Sequence, residues 1–338
     1  MRGARRIAWV AAIAAGVACA HDPKPADWLE RLARAAPPPA GKCWPLPPAQ
    51  AEQLMAAGAA EVRAEAPTSY GVTGAERLTV YFPAIARSIH VKWKAAPPGR
   101  ADGWNNAPRK ELAAYAIQKW FLAPDAYVVP TAVGRCLPLD EYRRIDPKAQ
   151  ATLAGTRCVF GIQSLWLEDV EPGEALYDRA TFERDPVYAR HLANFNMLAF
   201  LIDDRDTTPG NVLTSKDPSN RRVFSVDNGI SFDPKLYNVF YDGWKDIRVP
   251  ALPRSSIDRL RRITREHAGA LGVVAQFRTD RAGMLRPVRP GAPIDPRRGS
   301  RFQDGVLQLG LTEDEIDHVW ARAQKLLAEV DAGGIPLF

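Results

Sequence analysis

The one apolar run that invites a membrane reading, residues 7–18, has only twelve residues, where a spanning helix needs ~20. Cysteine is scarce, at four, and histidine nearly so, at five; no Cys/His spacing among them resembles a zinc site. No dense Lys/Arg run with interleaved aromatics occurs, and no internal repeat stands out. The formal charge is +6, but Arg2, Arg5 and Arg6 supply half of it. A mildly basic, solvated surface is therefore expected rather than a nucleic-acid partner. With 46% hydrophobic and 25% charged residues in 338, the chain is globular, long enough for one large domain or two lobes.

What is present begins with a basic start, 1–6, then the apolar run, then Ala18-Cys19-Ala20, a small-x-small cleavage pattern. This reads as an export signal over 1–20, delivering the chain to a periplasm, an outer surface or the medium. Gly16-Val17-Ala18-Cys19 also roughly matches a lipoprotein box, which would put a lipid on Cys19 as the only membrane link. Plain cleavage ranks ahead of it, because Gly16 stands where such boxes favour Leu. Export favours disulfides, and Cys136 with Cys158, in neighbouring apolar segments, is the plausible pair, leaving Cys43 odd. Of the 29 prolines, clusters at 36–48, 95–98 and 286–296 mark linkers and loops. Residues 21–66 read as an N-terminal extension without visible chemistry.

From Ser69 the pattern turns to strands. Gly71 and Gly74 form a turn whose backbone N–H groups could approach phosphate, although a Gly-x-x-Gly by itself is more often only a turn. In the strand 88–94, alternation puts Ile89, Val91 and Trp93 on one face and His90, Lys92 and Lys94 on the other. A helix follows from about 107 to 121, with Asn105 or Asn106 as cap and Pro108 in its first turn. Glu111 lies in that first turn, where the helix dipole alone would favour it. Two strands are expected near 157–160 and 162–167, meeting the second half near 168–174. The second half is expected to be mainly helical, with helices at 185–203, 256–270 and 312–330 and a Pro/Arg-rich loop at 285–301. Thr312-x-x-Glu315 is a capping box.

The stretch 203–232 carries the chemistry. It contains Arg205-Asp206-x-x-Pro209-x-Asn211-Val212-Leu213, and then Asp227-Asn228-Gly229 after the strand 222–226. Phosphoryl transfer needs a carboxylate to orient the acceptor hydroxyl, then an amide and a second carboxylate to hold Mg²⁺ on the phosphates. The order glycine turn, strand lysine, helix glutamate, Asp/Asn loop, Asp-x-Gly resembles the protein-kinase-like superfamily over about 69–235. Asp-Asn-Gly in place of Asp-Phe-Gly is closer to its atypical members: type II phosphatidylinositol 4-kinases, secretory-pathway casein kinases and, more distantly, the HipA kinases.

The resemblance implies an α+β, two-lobed fold, with an antiparallel-sheet N-lobe over 67–170 and a mainly helical C-lobe over 171–338. It implies ATP and Mg²⁺ as cofactors and a hydroxyl acceptor of undetermined class. Asp206 would be the catalytic carboxylate, with Asp204 as rival, and Asn211 and Asp227 the metal ligands. Lys92 or Lys94, with Glu111 and the Gly71/Gly74 turn, would hold the phosphates. The departures are equally concrete: no His before Arg205, no full Gly-x-Gly-x-x-Gly and no Ala-Pro-Glu after Asp227. Two alternatives stay open, nucleotidyl transfer on the same fold and an exported binding or scaffold protein.

Overall fold

The computed structural model describes residues 25–36, 41–67, 75–100, 107–173, 176–232 and 243–338. The segment read as an export signal, with Cys19, the glycines Gly71 and Gly74, and Asn105 and Asn106 lie outside the described residues.

Helix α1 (Pro25–Arg34) buries Trp28 and Leu32, one turn apart, with Trp28 edge-on to Phe182 at 6.3 Å. Helix α2 (Pro48–Ala57) buries Ala51, Leu54 and Met55. Strands β1 (Glu61–Pro67), β2 (Glu76–Phe82) and β3 (Arg87–Ala95) precede α3 (Pro108–Phe121), followed by β4 (Ala132–Pro138), the short α4 (Leu139–Tyr142) and β5 (Cys158–Leu165). The strands form one antiparallel sheet in the order β1-β2-β3-β5-β4. Ile89, Val91 and Trp93 of β3 enter the core that α2 covers, so the alternation read from sequence holds.

Three expectations need correction in this half. The sheet begins at Glu61, inside the segment read as an extension. Residues 158–165 form one strand rather than two, because Gly161 is not a break. A Cβ there would lie 2.6 Å from the Lys94 carbonyl oxygen and 2.7 Å from the Trp93 ring, so glycine permits close packing within a continuous strand. Helix α3 is capped by Ala107 without a side-chain bond, Pro108 following at the first position.

Cys136 and Cys158 are joined, as expected, across β4 and β5, and Cys43 is a buried free thiol. The bridge closes a separation of 22 residues. Replacing both cysteines by serine is expected to cost ~2–4 kcal/mol of unfolding free energy, read from a denaturant midpoint under oxidising conditions. In strong reductant the two proteins should converge.

The chain continues through β6 (Val170–Pro172), α5 (Arg179–Arg184), α6 (Pro186–Leu201), β7 (Val212–Ser215) and β8 (Val223–Ser225), the three strands forming a small antiparallel sheet. Asp185 caps α6 by accepting the Val187 and Tyr188 N–H groups. Helices α7 (Arg254–Leu260) and α8 (Arg265–Gly269) replace the single helix expected over 256–270. Thr264 starts a second helix through its own capping box with His267.

Then come β9 (Ala275–Thr279), β10 (Leu285–Val288), β11 (Ser300–Gln303) and β12 (Val306–Leu309), and finally α9 (Glu313–Asp331), which begins at the expected Thr312/Glu315 box. The four strands make an antiparallel sheet, β10-β9-β12-β11, where a loop and helices were expected. Its inner residues Phe277, Leu285, Leu307 and Leu309 are buried, and Phe277 meets Phe160 of β5 edge-on at 5.0 Å. A Cβ at Gly134 would stand 2.6 Å from the Phe277 ring, so the second half returns onto the first sheet closely. The fold is thus mixed α+β, with nine α-helices among the described residues. No helix of the described residues is long and apolar enough to cross a membrane.

Candidate functional site

A cavity of about 480 Å³ lies between the first sheet and the segments that follow α6, lined among others by Lys92, Glu111, Trp166, Leu167, Asn211 and Asp227. The β3 alternation sends Lys92 and Lys94 to the same side. Lys94 Nζ donates to Asp227 Oδ1 at 3.0 Å, and Lys92 Nζ lies 3.1 Å from Asp227 Oδ2. Lys94 Nζ is also 3.9 Å from Glu111 Oε1. The other Glu111 oxygen accepts the Asn228 N–H at 3.0 Å. Lys92 lines the cavity, whereas Lys94 sits deeper, between the two carboxylates.

Glu111 is therefore more than a dipole partner. Its helix turn is fastened on both sides: the Ala107 N–H donates to Gly229 O at 3.0 Å, and Lys110 Nζ donates to Ser231 O at 2.6 Å. Arg109 forks onto Glu315 of α9 at 2.6 and 2.9 Å and reaches Gly310 O at 3.1 Å. Asp227 has a left-handed backbone (φ 60°), a conformation Asp tolerates better than most residues, and Asn228–Ile230 forms a 3₁₀ turn.

The Asp/Asn loop stands beside this cluster. Asn211 Nδ2 donates to Asp206 O at 2.8 Å and to Asp206 Oδ2 at 3.0 Å, while the Val226 N–H donates to Asn211 O at 2.9 Å. The rival Asp204 is turned inward: its side chain accepts the Asp206 N–H at 3.0 Å and its own N–H donates to Ala199 O at 2.9 Å. Asp204 braces the loop, and Asp206 is the carboxylate beside Asn211. Asp203, also buried, is gripped by Arg322 at 2.6 Å and Arg205 at 2.9 Å. Sequence reading did not find Arg109, Arg322 or this use of Glu315, since their partners lie 119 to 206 residues away.

The charged groups of this cluster act on one another. Burial opposes the charge on Asp227, but Lys92 and Lys94 outweigh it and hold the carboxyl well below the usual range. Burial likewise opposes the charge on Lys92, yet Asp227 and Glu111 raise its affinity for the proton. Glu111 is pushed up by burial, against the pull of Lys92 and with the negative charge of Asp227 adding to it. Asp206 is raised by burial and by Asp227.

Burial pushes Asp204 up to about 7, helped by Asp206, Glu111 and Asp203 and opposed by the Asp206 N–H. The folded state then binds a proton that the unfolded chain has released. Asp204 thus stabilises fully below its unfolded value of ~3.9, and that contribution is lost as pH rises toward ~7. Buried His191, depressed to about 3, has the opposite slope below its unfolded value of ~6.5, so the wild-type curve alone does not isolate Asp204. Asp204→Asn should gain stability relative to wild type between about pH 4 and 7, by up to ~4 kcal/mol, in paired denaturant titrations. A flat difference would mean Asp204 is charged in the fold.

For Mg²⁺ the candidate donors are Asp227 and the Asn211 amide oxygen, both hard ligands and both from residues that line the cavity. Two protein ligands suit an ion that usually keeps waters and takes phosphate oxygens as its remaining partners. Among the described residues there is no cluster of three or more His, Cys, Asp or Glu that would hold a metal by itself. Asn228 Nδ2, beside Asp227, is buried without a hydrogen-bond partner, leaving polar capacity at the cavity wall. The residues fit a metal that arrives with a polyphosphate. No protein-family model matches the chain, and no curated protein matches it either.

Proposed function

We propose that this chain is an atypical member of the protein-kinase-like superfamily, transferring the ATP γ-phosphate to a hydroxyl of a protein, lipid or sugar. In this reading the first sheet with α3 is one lobe, the segments after β5 supply the other, and the cavity between them takes the nucleotide. The observation that carries it is the convergence of Lys92, Glu111, Asn211 and Asp227 from four separate segments onto one cavity, with Lys94 between Glu111 and Asp227 and Asp206 hydrogen-bonded to Asn211. A strand lysine paired with a helix glutamate, opposite an Asp that follows a strand, is the arrangement phosphoryl transfer uses.

Positioning and charge neutralisation dominate this chemistry, so each side chain has an electrostatic task. Lys92 meets the phosphates, and Lys94 with Glu111 holds Asp227 in place. Asp206, oriented by Asn211, accepts the acceptor hydroxyl's hydrogen bond. Asp227 and Asn211 would hold Mg²⁺, which would supply charge that neutralises the phosphates. Residues 166–168 line the cavity where an adenine edge would lie.

A non-catalytic binding protein on the same fold is favoured by one observation, that both Asp227 oxygens already face ammonium groups. The two readings separate in one experiment. Thermal shift with ATP, with and without Mg²⁺, is followed by product analysis with γ-labelled and α-labelled ATP. A metal-dependent shift with label moved from the γ position supports the kinase. Label moved from the α position means nucleotidyl transfer, and no shift from a folded sample removes the nucleotide site.

A further inference from the structure

We propose that the outer face of the β9–β12 sheet and its covering loop form a docking surface for an anionic phospholipid bilayer. Residues 275–303 hold seven arginines against Asp280 and Asp295, which is five of the chain's six net positive charges. Six of these arginines are exposed; Arg301 is buried, its guanidinium donating to Asp295 O, Gly272 O and Leu311 O.

The same segment holds three of the four large hydrophobic side chains exposed among the described residues: Val288, Ile294 and Phe302, at 36%, 41% and 36%. Register places two of them with the charge. Phe277, Leu285, Leu307 and Leu309 point inward, so Arg278, Arg286 and Val288 share the opposite face. Ile294 joins that face through the loop, its N–H donating to Gln308 Oε1 at 2.8 Å.

Arg278 and Arg286 are direct cross-strand partners, and like charges so placed are destabilising unless an anion offsets them. Asp280 pairs with Arg286 at 2.9 Å, and Asp295 lies 3.3 and 3.6 Å from Arg297 and Arg298, which leaves the face strongly positive. Arginine interleaved with exposed Val and Ile matches a lipid interface, where apolar groups enter the headgroup boundary and guanidinium groups take the anionic headgroups. A nucleic-acid face would instead pair its cations with stacking aromatics, but Phe302 lies opposite Leu307, on the other side of the sheet. A basic patch is also the usual second attachment for a chain with one weak anchor, such as a lipid on Cys19 would be.

The test is co-sedimentation of the full-length protein, carrying Cys19→Ser so that no lipid is attached. The vesicles are phosphatidylcholine with and without about 30% phosphatidylglycerol. The quantity read is the anionic increment, since the leader itself contributes to binding on both vesicles. The increment should fall at least ~10-fold in R278Q/R286Q/R289Q and several-fold in V288S/I294S, and vanish in ~0.5 M salt. All five positions are exposed, so melting temperatures should match wild type. No increment in wild type, or an unchanged increment in the arginine variant, overturns the proposal. An unchanged increment in V288S/I294S together with equal binding to heparin also overturns it, leaving a general polyanion surface.

Discussion

Asp227→Asn is expected to abolish magnesium-dependent nucleotide binding and to lower any phosphoryl transfer by at least ~10²–10³-fold. Asp227 lines the cavity and its two oxygens lie 3.1 and 3.0 Å from the ammonium groups of Lys92 and Lys94. An amide in its place keeps the volume and one oxygen but loses the charge that Mg²⁺ and both ammonium groups need. A fluorescent ATP analogue, titrated with and without Mg²⁺ well below the melting temperature, separates loss of binding from loss of fold. Tightening by Mg²⁺ in wild type alone supports the assignment; equal tightening in the variant would move the metal elsewhere. The substitution also carries a pH signature. Because the folded carboxyl lies below its unfolded value of ~3.9, its contribution is present above that pH and is lost as pH falls further. The variant should lack this acid-side loss.

The second large effect distinguishes the two lysines. Lys94→Met leaves buried Glu111 and half-buried Asp227 without the ammonium that lies between them, and removing one partner of a buried charge cluster costs ~3–5 kcal/mol. Lys92→Met keeps the Lys94–Asp227 contact and removes the ammonium that lines the cavity. Lys92→Met should therefore weaken nucleotide binding with a small change in stability, whereas Lys94→Met should lower the denaturant midpoint first. The reverse ranking would make Lys94 the phosphate contact.

Much of the site was legible in the chain. Asp206 and Asn211 are five residues apart and meet through a local bond, so the pairing is local, although the sequence singled it out only together with the other elements in their order. The strand lysines followed from period-2 alternation, and Glu111 from its place on a helix. The choice between Asp204 and Asp206 was only partly legible, because it depends on which side chain the loop turns inward. The β9–β12 sheet was missed for a related reason: β10, β11 and β12 each have four residues, too few for alternation to register beside so many prolines and arginines.

The sequence by itself determined which residue types could do chemistry and their local spacing, since periodicity and capping are properties of neighbours along the chain. Only the tertiary structure decided that Lys94 lies between Glu111 and Asp227 and that Arg109 reaches Glu315. The same holds for Phe277 closing on Phe160. Apart from Lys94–Glu111, those contacts join segments more than 100 residues apart, and burial rather than local preference selects them. A buried charge persists only where the fold delivers its partner.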